Sequence, residues 1–89
     1  MKTILTVIGK DQTGIIAGIS QKLYELDINI LDVSQTIMDE YFTMIMLLDL
    51  SKVNISFDEA KTALIQTGDN LKVKVNLQRE EIFEAMHRL

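Results

Sequence analysis

The chain has 89 residues, with 9 Lys and Arg against 13 Asp and Glu, one His, no Cys and no Pro. That length predicts a single domain over residues 1–89, with a modest core and reason to gain stability from a second copy. A net charge of −4 argues against a nucleic-acid-binding surface, which needs a basic face, and the lack of Cys removes disulfides and thiolate metal sites.

One His without Cys does not make a transition-metal centre, so no metal and no cofactor are expected. No stretch approaches the ~20 apolar residues that span a bilayer. Met1-Lys2-Thr3 leads straight into a strand pattern, without the apolar run of a signal peptide. A cytoplasmic protein without membrane contact is the expectation.

The first strand is predicted over 3–8. Leu5 and Val7 lie on one face, Ile4 and Ile8 on the other. A strand apolar on both faces is expected to be covered on both. A helix follows over 14–26, with Ile16, Ile19, Leu23 and Leu26 as its buried stripe, Ile15 beside it and Thr13 as N-cap. Gly18 lies inside this helix at a cost of up to ~1 kcal/mol against Ala. A close approach by a strand or another neighbour would explain it.

The second strand is predicted over 28–38. Leu31, Val33 and Ile37 alternate with Ile30, Asp32, Ser34 and Thr36, as in a half-buried strand. Asp39-Glu40 makes a turn into a third strand over 41–50, apolar on both faces and therefore central. Ser56 to Glu59 fits a capping box opening a helix over 57–67, with Gly68 as the C′ residue. Phe57, Ala60, Ala63 and Leu64 form its buried side. A fourth strand over 71–78 has one polar face, which suggests an edge. A last helix over 80–88 carries acids in its first turn and His87-Arg88 at its end, matching the helix dipole.

Strand, helix, strand, strand, helix, strand is the split βαβ order. Right-handed crossovers give a four-stranded antiparallel sheet in the order 4-1-3-2, with both main helices on one face. The other face keeps apolar side chains with nothing in the core motif to cover them. A homodimer that covers that face, or extends the sheet edge, is expected, with the terminal helix near the interface.

The stretch from Gly9 to Gly18 joins the first strand to the first helix. Such a turn leaves helix-start N–H groups facing a concavity, which suits a carboxylate or other anion. Asp11 could cap the turn or bind an ammonium group. Gly, Asp and Thr also occur in such turns for backbone reasons alone. The glycine spacing fits neither the dinucleotide fingerprint nor the longer phosphate loop.

Asp11-Gln12-Thr13-Gly14-Ile15-Ile16, the helix positions Ile19 and Leu23, and Asn29-Ile30 together resemble the ACT domain, a small-molecule-sensing module of ferredoxin-like fold. The resemblance covers essentially the whole chain. It is most similar to stand-alone bacterial ACT proteins and to the ACT segments of the glycine-cleavage transcriptional repressor and formyltetrahydrofolate deformylase. It implies an α+β, ferredoxin-like βαββαβ sandwich. It also implies regulatory binding of an amino acid or related metabolite, usually at a dimer interface. The matching positions are Asp11, Gln12, Thr13, Gly14, Ile15, Asn29 and Ile30. In that reading the N–H groups of Gly14, Ile15 and Ile16 take the carboxylate, Asp11 pairs with the ammonium, and Asn29 donates and accepts. ACT domains are usually attached to an enzyme or a DNA-binding domain. With neither here, control would act in trans on a partner enzyme or regulator.

A catalytic reading needs a nucleophile with a base, or two positioned carboxylates. The lone His87 is far in sequence from Ser20 and Ser34, and reads as a solvent-facing residue at a helix end. No enzyme is expected. The alternative to a sensor is a structural docking module that keeps the ACT frame and binds no ligand.

Overall fold

A computed structural model describes residues 1–87. The elements are β1 (Lys2–Lys10), α1 (Ile15–Glu25), β2 (Asn29–Met38), β3 (Tyr41–Asp49), α2 (Phe57–Asn70), β4 (Lys74–Arg79) and α3 (Glu80–His87). The expectations for Arg88 and for the side chain of His87 lie outside what is described.

The strands form one antiparallel sheet in the order β2-β3-β1-β4. This is the βαββαβ ferredoxin-like arrangement expected from the pattern. The register explains the core. Leu5 pairs with Met46 and Leu77, and Val7 with Met44 and Val75, so these six side chains share the helix-covered face. All six are buried there together with Ile15, Ile19 and Leu23 of α1 and Ala60 and Leu64 of α2. β1 and β3 are the inner strands and β4 is an edge, as their apolar patterns require.

The second face is left open within one chain, as the split βαβ order implies. Ile8 is 51% exposed and Ile45 39%. Apolar alternation on both sides of β1 therefore does not mean cover on both sides within one chain. α3 follows β4 directly and packs against β1 and β4. Its first residue, Glu80, borders a shallow concavity on that face with Ile4, Ser34, Ile45 and Leu47.

β2 departs further. All its residues are exposed except half-buried Ile30. A bulge between Ile30 and Asp32 takes Leu31 out of the ladder. Ile30 then shares the helix face with Val33, Gln35 and Ile37, while Asp32, Ser34, Thr36 and Met38 share the other. The expected alternation placed Ile30 opposite Val33, because a bulge cannot be seen in a period-two pattern.

Helix boundaries also shifted. Gly14, not Thr13, is the N-cap of α1, with φ 93°. That sets Ile15 into the core at 2% exposure and leaves Ile16 outside at 44%. A Cβ on Gly18 would lie 2.8 Å from Leu71 Cδ1, so the neighbour that crowds it is the end of α2. The capping box at α2 forms as expected: Glu59 N–H donates to Ser56 Oγ at 3.1 Å, and Ser56 N–H to Glu59 Oε1 at 3.2 Å.

α2 does not stop at Gly68. It runs to Asn70 and closes at Leu71, with Lys72 in the left-handed region at φ 62°. Lys72 N–H donates to Asp69 O at 3.1 Å and Val73 N–H to Gly68 O at 2.9 Å. This is a Schellman closure with a lysine where glycine is usual. Lys72→Gly is therefore expected to stabilise the domain by about 0.5–1 kcal/mol, because the left-handed strain on a β-carbon exceeds the added chain entropy. Urea unfolding of the variant against the parent checks it. α1 closes the same way through Asp27 (φ 57°), with Asp27 N–H to Tyr24 O at 3.1 Å and Ile28 N–H to Leu23 O at 3.0 Å.

Candidate functional site

The turn from β1 into α1 is held from two sides. Asp11 N–H donates to the Glu40 carbonyl at 2.7 Å, tying it to the β2–β3 hairpin. The Gln12 side-chain amide donates to the Leu71 carbonyl at the close of α2. Lys10 and Glu40 add an exposed ion pair at 3.9 Å, which contributes little to stability. The backbone of the turn is thus fixed while the side chains of Asp11, Gln12 and Thr13 remain exposed.

Gly14 serves this turn in two ways. Its φ of 93° is a conformation that side-chain-bearing residues resist. A Cβ there would meet nothing within 4 Å, so the space above the first turn of α1 is open. No side chain caps that turn and no acidic residue lies in it. The partial positive charge of the helix start is therefore not offset locally, which suits a carboxylate. Ile15, the last of the turn positions, is a core side chain, so only its backbone is available to a ligand.

Asn29 and Ile30 open β2, and the sheet register places them at the other end of the molecule. Asn29 pairs with Asp49, which pairs with Lys2, whereas Lys10 pairs with Tyr41. Eight residue steps separate Tyr41 from Asp49, about 26 Å at ~3.3 Å per step. Within one chain the structure thus brings Asp11, Gln12, Thr13, Gly14 and Ile15 together and holds Asn29 and Ile30 apart from them.

The Asn29 end has its own character. Asn29 is exposed and borders shallow concavities with Tyr24, Asp27, Asp49, Ser51 and Lys52. Ser51 N–H donates to Asp49 Oδ1 at 3.0 Å. That bond, with a smaller contribution from the N-terminal ammonium 4.0 Å away, holds the Asp49 carboxyl below the usual range. Ile30 is half-buried against the core.

Two features were not read from the sequence. One is the Gln12 anchor, whose acceptor is a backbone carbonyl 59 residues away and leaves no mark on the pattern. The other is the exposure of Val33 and Ile37, 45% and 53%. The edge position of β2 in the expected strand order was the signal for it. Among the described residues no group of three or more His, Asp or Glu is placed to hold a metal ion, and no helix is long and apolar enough to cross a membrane.

Comparison with known proteins agrees with this fold. Residues 2–78 match the model of the ACT domain family. A UPF0237 protein of Listeria innocua is 62% identical over 89 residues, all of both chains. One from the archaeon Methanocaldococcus jannaschii is 50% identical over 88 residues, 99% of this chain and 98% of that protein. The solved ACT domain protein from Streptococcus pneumoniae superposes with a TM-score of 0.82 at 47% identity, covering 98% of each chain. A formyltetrahydrofolate deformylase from Pseudomonas syringae (TM-score 0.78, 18% identity, 88% of this chain and 27% of that one) shares the fold. So does a glycine cleavage system transcriptional repressor (0.76, 22%, 86% and 44%). ACT domains are generally regulatory small-molecule-binding modules. The matched span runs from the first residue of β1 through β4 to Gln78 and includes both halves of the candidate site, and on this ground the chain belongs to the ACT domain family, among its UPF0237 members.

Proposed function

We propose that this chain is a non-catalytic regulatory module that binds an amino acid or closely related metabolite where two copies meet, and passes the change to a partner protein in trans. The observation that carries the reading is the turn before α1. A rigidly tied backbone, an uncapped helix start and an open space above Gly14 offer N–H donors to a carboxylate. The exposed Asp11 carboxylate beside them offers a partner for an ammonium group. An α-amino acid carries both groups on one carbon. Asn29 and Ile30 complete the site from the second copy, since they cannot reach the turn within one chain.

Thermal unfolding against a panel of amino acids at millimolar concentration tests this. A ligand present at ten times its Kd stabilises by about 1.4 kcal/mol through mass action, a rise of roughly 5–10 °C in Tm for a domain this small. One or two amino acids are expected to give that shift, and Asp11→Ala and Asn29→Ala each to abolish it. A flat response across the panel would sink the amino-acid reading. It would favour a docking module that binds no small molecule, the reading to which the exposed Ile8, Tyr41 and Ile45 of the second face lend support.

A further inference from the structure

α1 carries one half of the candidate site at each end. The Asp11–Gly14 turn enters it, and Asp27 and Ile28 lead from it to Asn29. Its 11 residues make a strut of about 16 Å between them, at ~1.5 Å per residue. The end of a helix leaves carbonyls without partners inside the helix, and these carry the negative pole of its dipole. Two exposed carboxamides answer two such ends. The Gln12 amide donates to the carbonyl of Leu71, which closes α2. The Asn54 amide donates to the carbonyl of Glu25, the last residue of α1, at 3.1 Å, and Asn54 N–H donates to the Leu26 carbonyl at 3.3 Å.

We propose that Gln12 and Asn54 are positioning residues of the ligand site, each clamping one end of α1 to a neighbouring segment so that the turn N–H groups and Asn29 are held in place for a ligand. This rests on the function proposed above and adds the residues that fix its two halves. The contacts around Gln12 fit the role. The segment it grips, Leu71 to Val73, also closes on both ends of the Gly9–Gly18 stretch. Val73 Cγ1 lies 2.8 Å from where a Cβ on Gly9 would stand, and Leu71 Cδ1 lies 2.8 Å from the same point on Gly18. With the Gln12 bond between those two contacts, the turn is seated along its length. The Gln12 donor is spent on the fold. It therefore acts on a ligand through the backbone it holds, where Asp11 N–H donates to the Glu40 carbonyl and Gly18 N–H to the Gly14 carbonyl.

Asn54 has the equivalent place at the other end. Lys52, on the same loop, borders a shallow concavity with Tyr24, Asp27 and Asn29. The two bonds from Asn54 join that loop to the close of α1, and so fix the Lys52 side of the concavity relative to Asn29. The chemistry offers a discriminating substitution. Glu has the shape of Gln but no N–H, and its charge would meet a carbonyl at the negative end of a helix. Gln12→Glu thus breaks the clamp without a change of size. Gln12→Lys returns a donor to the same carbonyl. Asn54→Asp is the matching break at the other end of α1.

Native-state amide exchange by NMR, on the whole chain without ligand, reads the clamps. Q12E is expected to lower protection about tenfold at Asp11 and Gly18, and Q12K to keep it within about twofold of the parent. N54D is expected to lower it about tenfold at Leu26 and Ile28, whose N–H groups bond to Lys22 and Leu23. The amides of Leu5 and Val7 on β1 stay as in the parent. The amino-acid thermal panel, run on the same proteins, reads the site. The shift that the parent shows is expected to vanish in Q12E and N54D and to return in Q12K. Unchanged exchange in Q12E and N54D overturns the clamps. A shift that survives in both overturns the positioning role. Protection restored by Q12K without the shift makes Gln12 a ligand contact, which overturns that role as well. Gln12 and Asn54 are both exposed, and circular dichroism checks each fold. Should Q12E unfold, Gln12→Ala takes its place with the same expected losses. The amino-acid reading fails differently. A flat panel in the parent removes that reading and the positioning role with it, while the exchange results still decide the clamps.

Discussion

Leu5→Ala is expected to lower the stability of the domain by about 3–4 kcal/mol, within the range for large-to-small changes in a closed core. Leu5 is fully buried at the middle of β1, with Met46 on one side and Leu77 on the other. These three rows face the helices, where Ile19 and Leu64 are also fully buried. The cavity left by truncation is walled by two inner strands and a third whose helix-face side chains are buried. Collapse around it is therefore limited, and the cost lies above the bare transfer term. A domain of this size has roughly 4–13 kcal/mol of stability at 0.05–0.15 kcal/mol per residue, so the loss is about a quarter of the total at the high end and nearly all of it at the low end. Urea titration followed by circular dichroism measures it, and a loss under 1.5 kcal/mol would mean that the core repacks.

Ile8→Ala is the control that makes this result informative about function. Ile8 lies on the same strand, on the opposite face, and is 51% exposed. In an isolated chain its truncation is expected to cost under about 0.5 kcal/mol, as for other surface positions. If a second copy covers the second face, the cost rises and becomes dependent on protein concentration. Pairing along β2 leaves Ile8 uncovered and its truncation nearly silent. The ratio of the two losses, measured at two concentrations, thus separates a face-covering dimer from an edge-joined one.

The order of the elements was legible because each rests on a local signal. Alternation in the strands, the Ser56–Glu59 box and the Asp39-Glu40 turn are read within a few residues. Once those were fixed, crossover handedness left one strand order. What was not legible depends on contacts distant in sequence. Ile15 rather than Ile16 enters the core because α1 turns its Ile15, Ile19 and Leu23 row onto the sheet, and both stripes fit helical spacing in the sequence. Period-two reading of β2 failed at a bulge that inserts one residue. The candidate site was legible as two sequence motifs and illegible as one place, since Asp11 and Asn29 lie at opposite ends of the sheet in a single chain.

Gly68 is the position where local and tertiary logic part most sharply, and Gly68→Ala is expected to destabilise by about 1–2 kcal/mol. A sequence reading takes this glycine as a helix stop, yet α2 continues through it to Asn70 and the left-handed role falls to Lys72. In an exposed helix interior, replacing Gly by Ala would gain up to ~1 kcal/mol. Here a Cβ would lie 2.4 Å from Val75 Cγ2, 3.0 Å from Val75 Cβ and 3.1 Å from the Val73 carbonyl oxygen. Val75 is a β-branched residue on a strand paired to β1, with little rotamer freedom to give way. Overpacking of this kind costs about 1–3 kcal/mol or more, so it outweighs the propensity gain. Val75→Ala removes the closest atom, and a double-mutant cycle isolates the clash. The two losses are expected to be less than additive, by about 1 kcal/mol or more, because the alanine at 68 then fills space that Val75 vacates. Additive losses would show that the Val73 carbonyl, which no side-chain change can move, sets the limit on how closely α2 lies on β4.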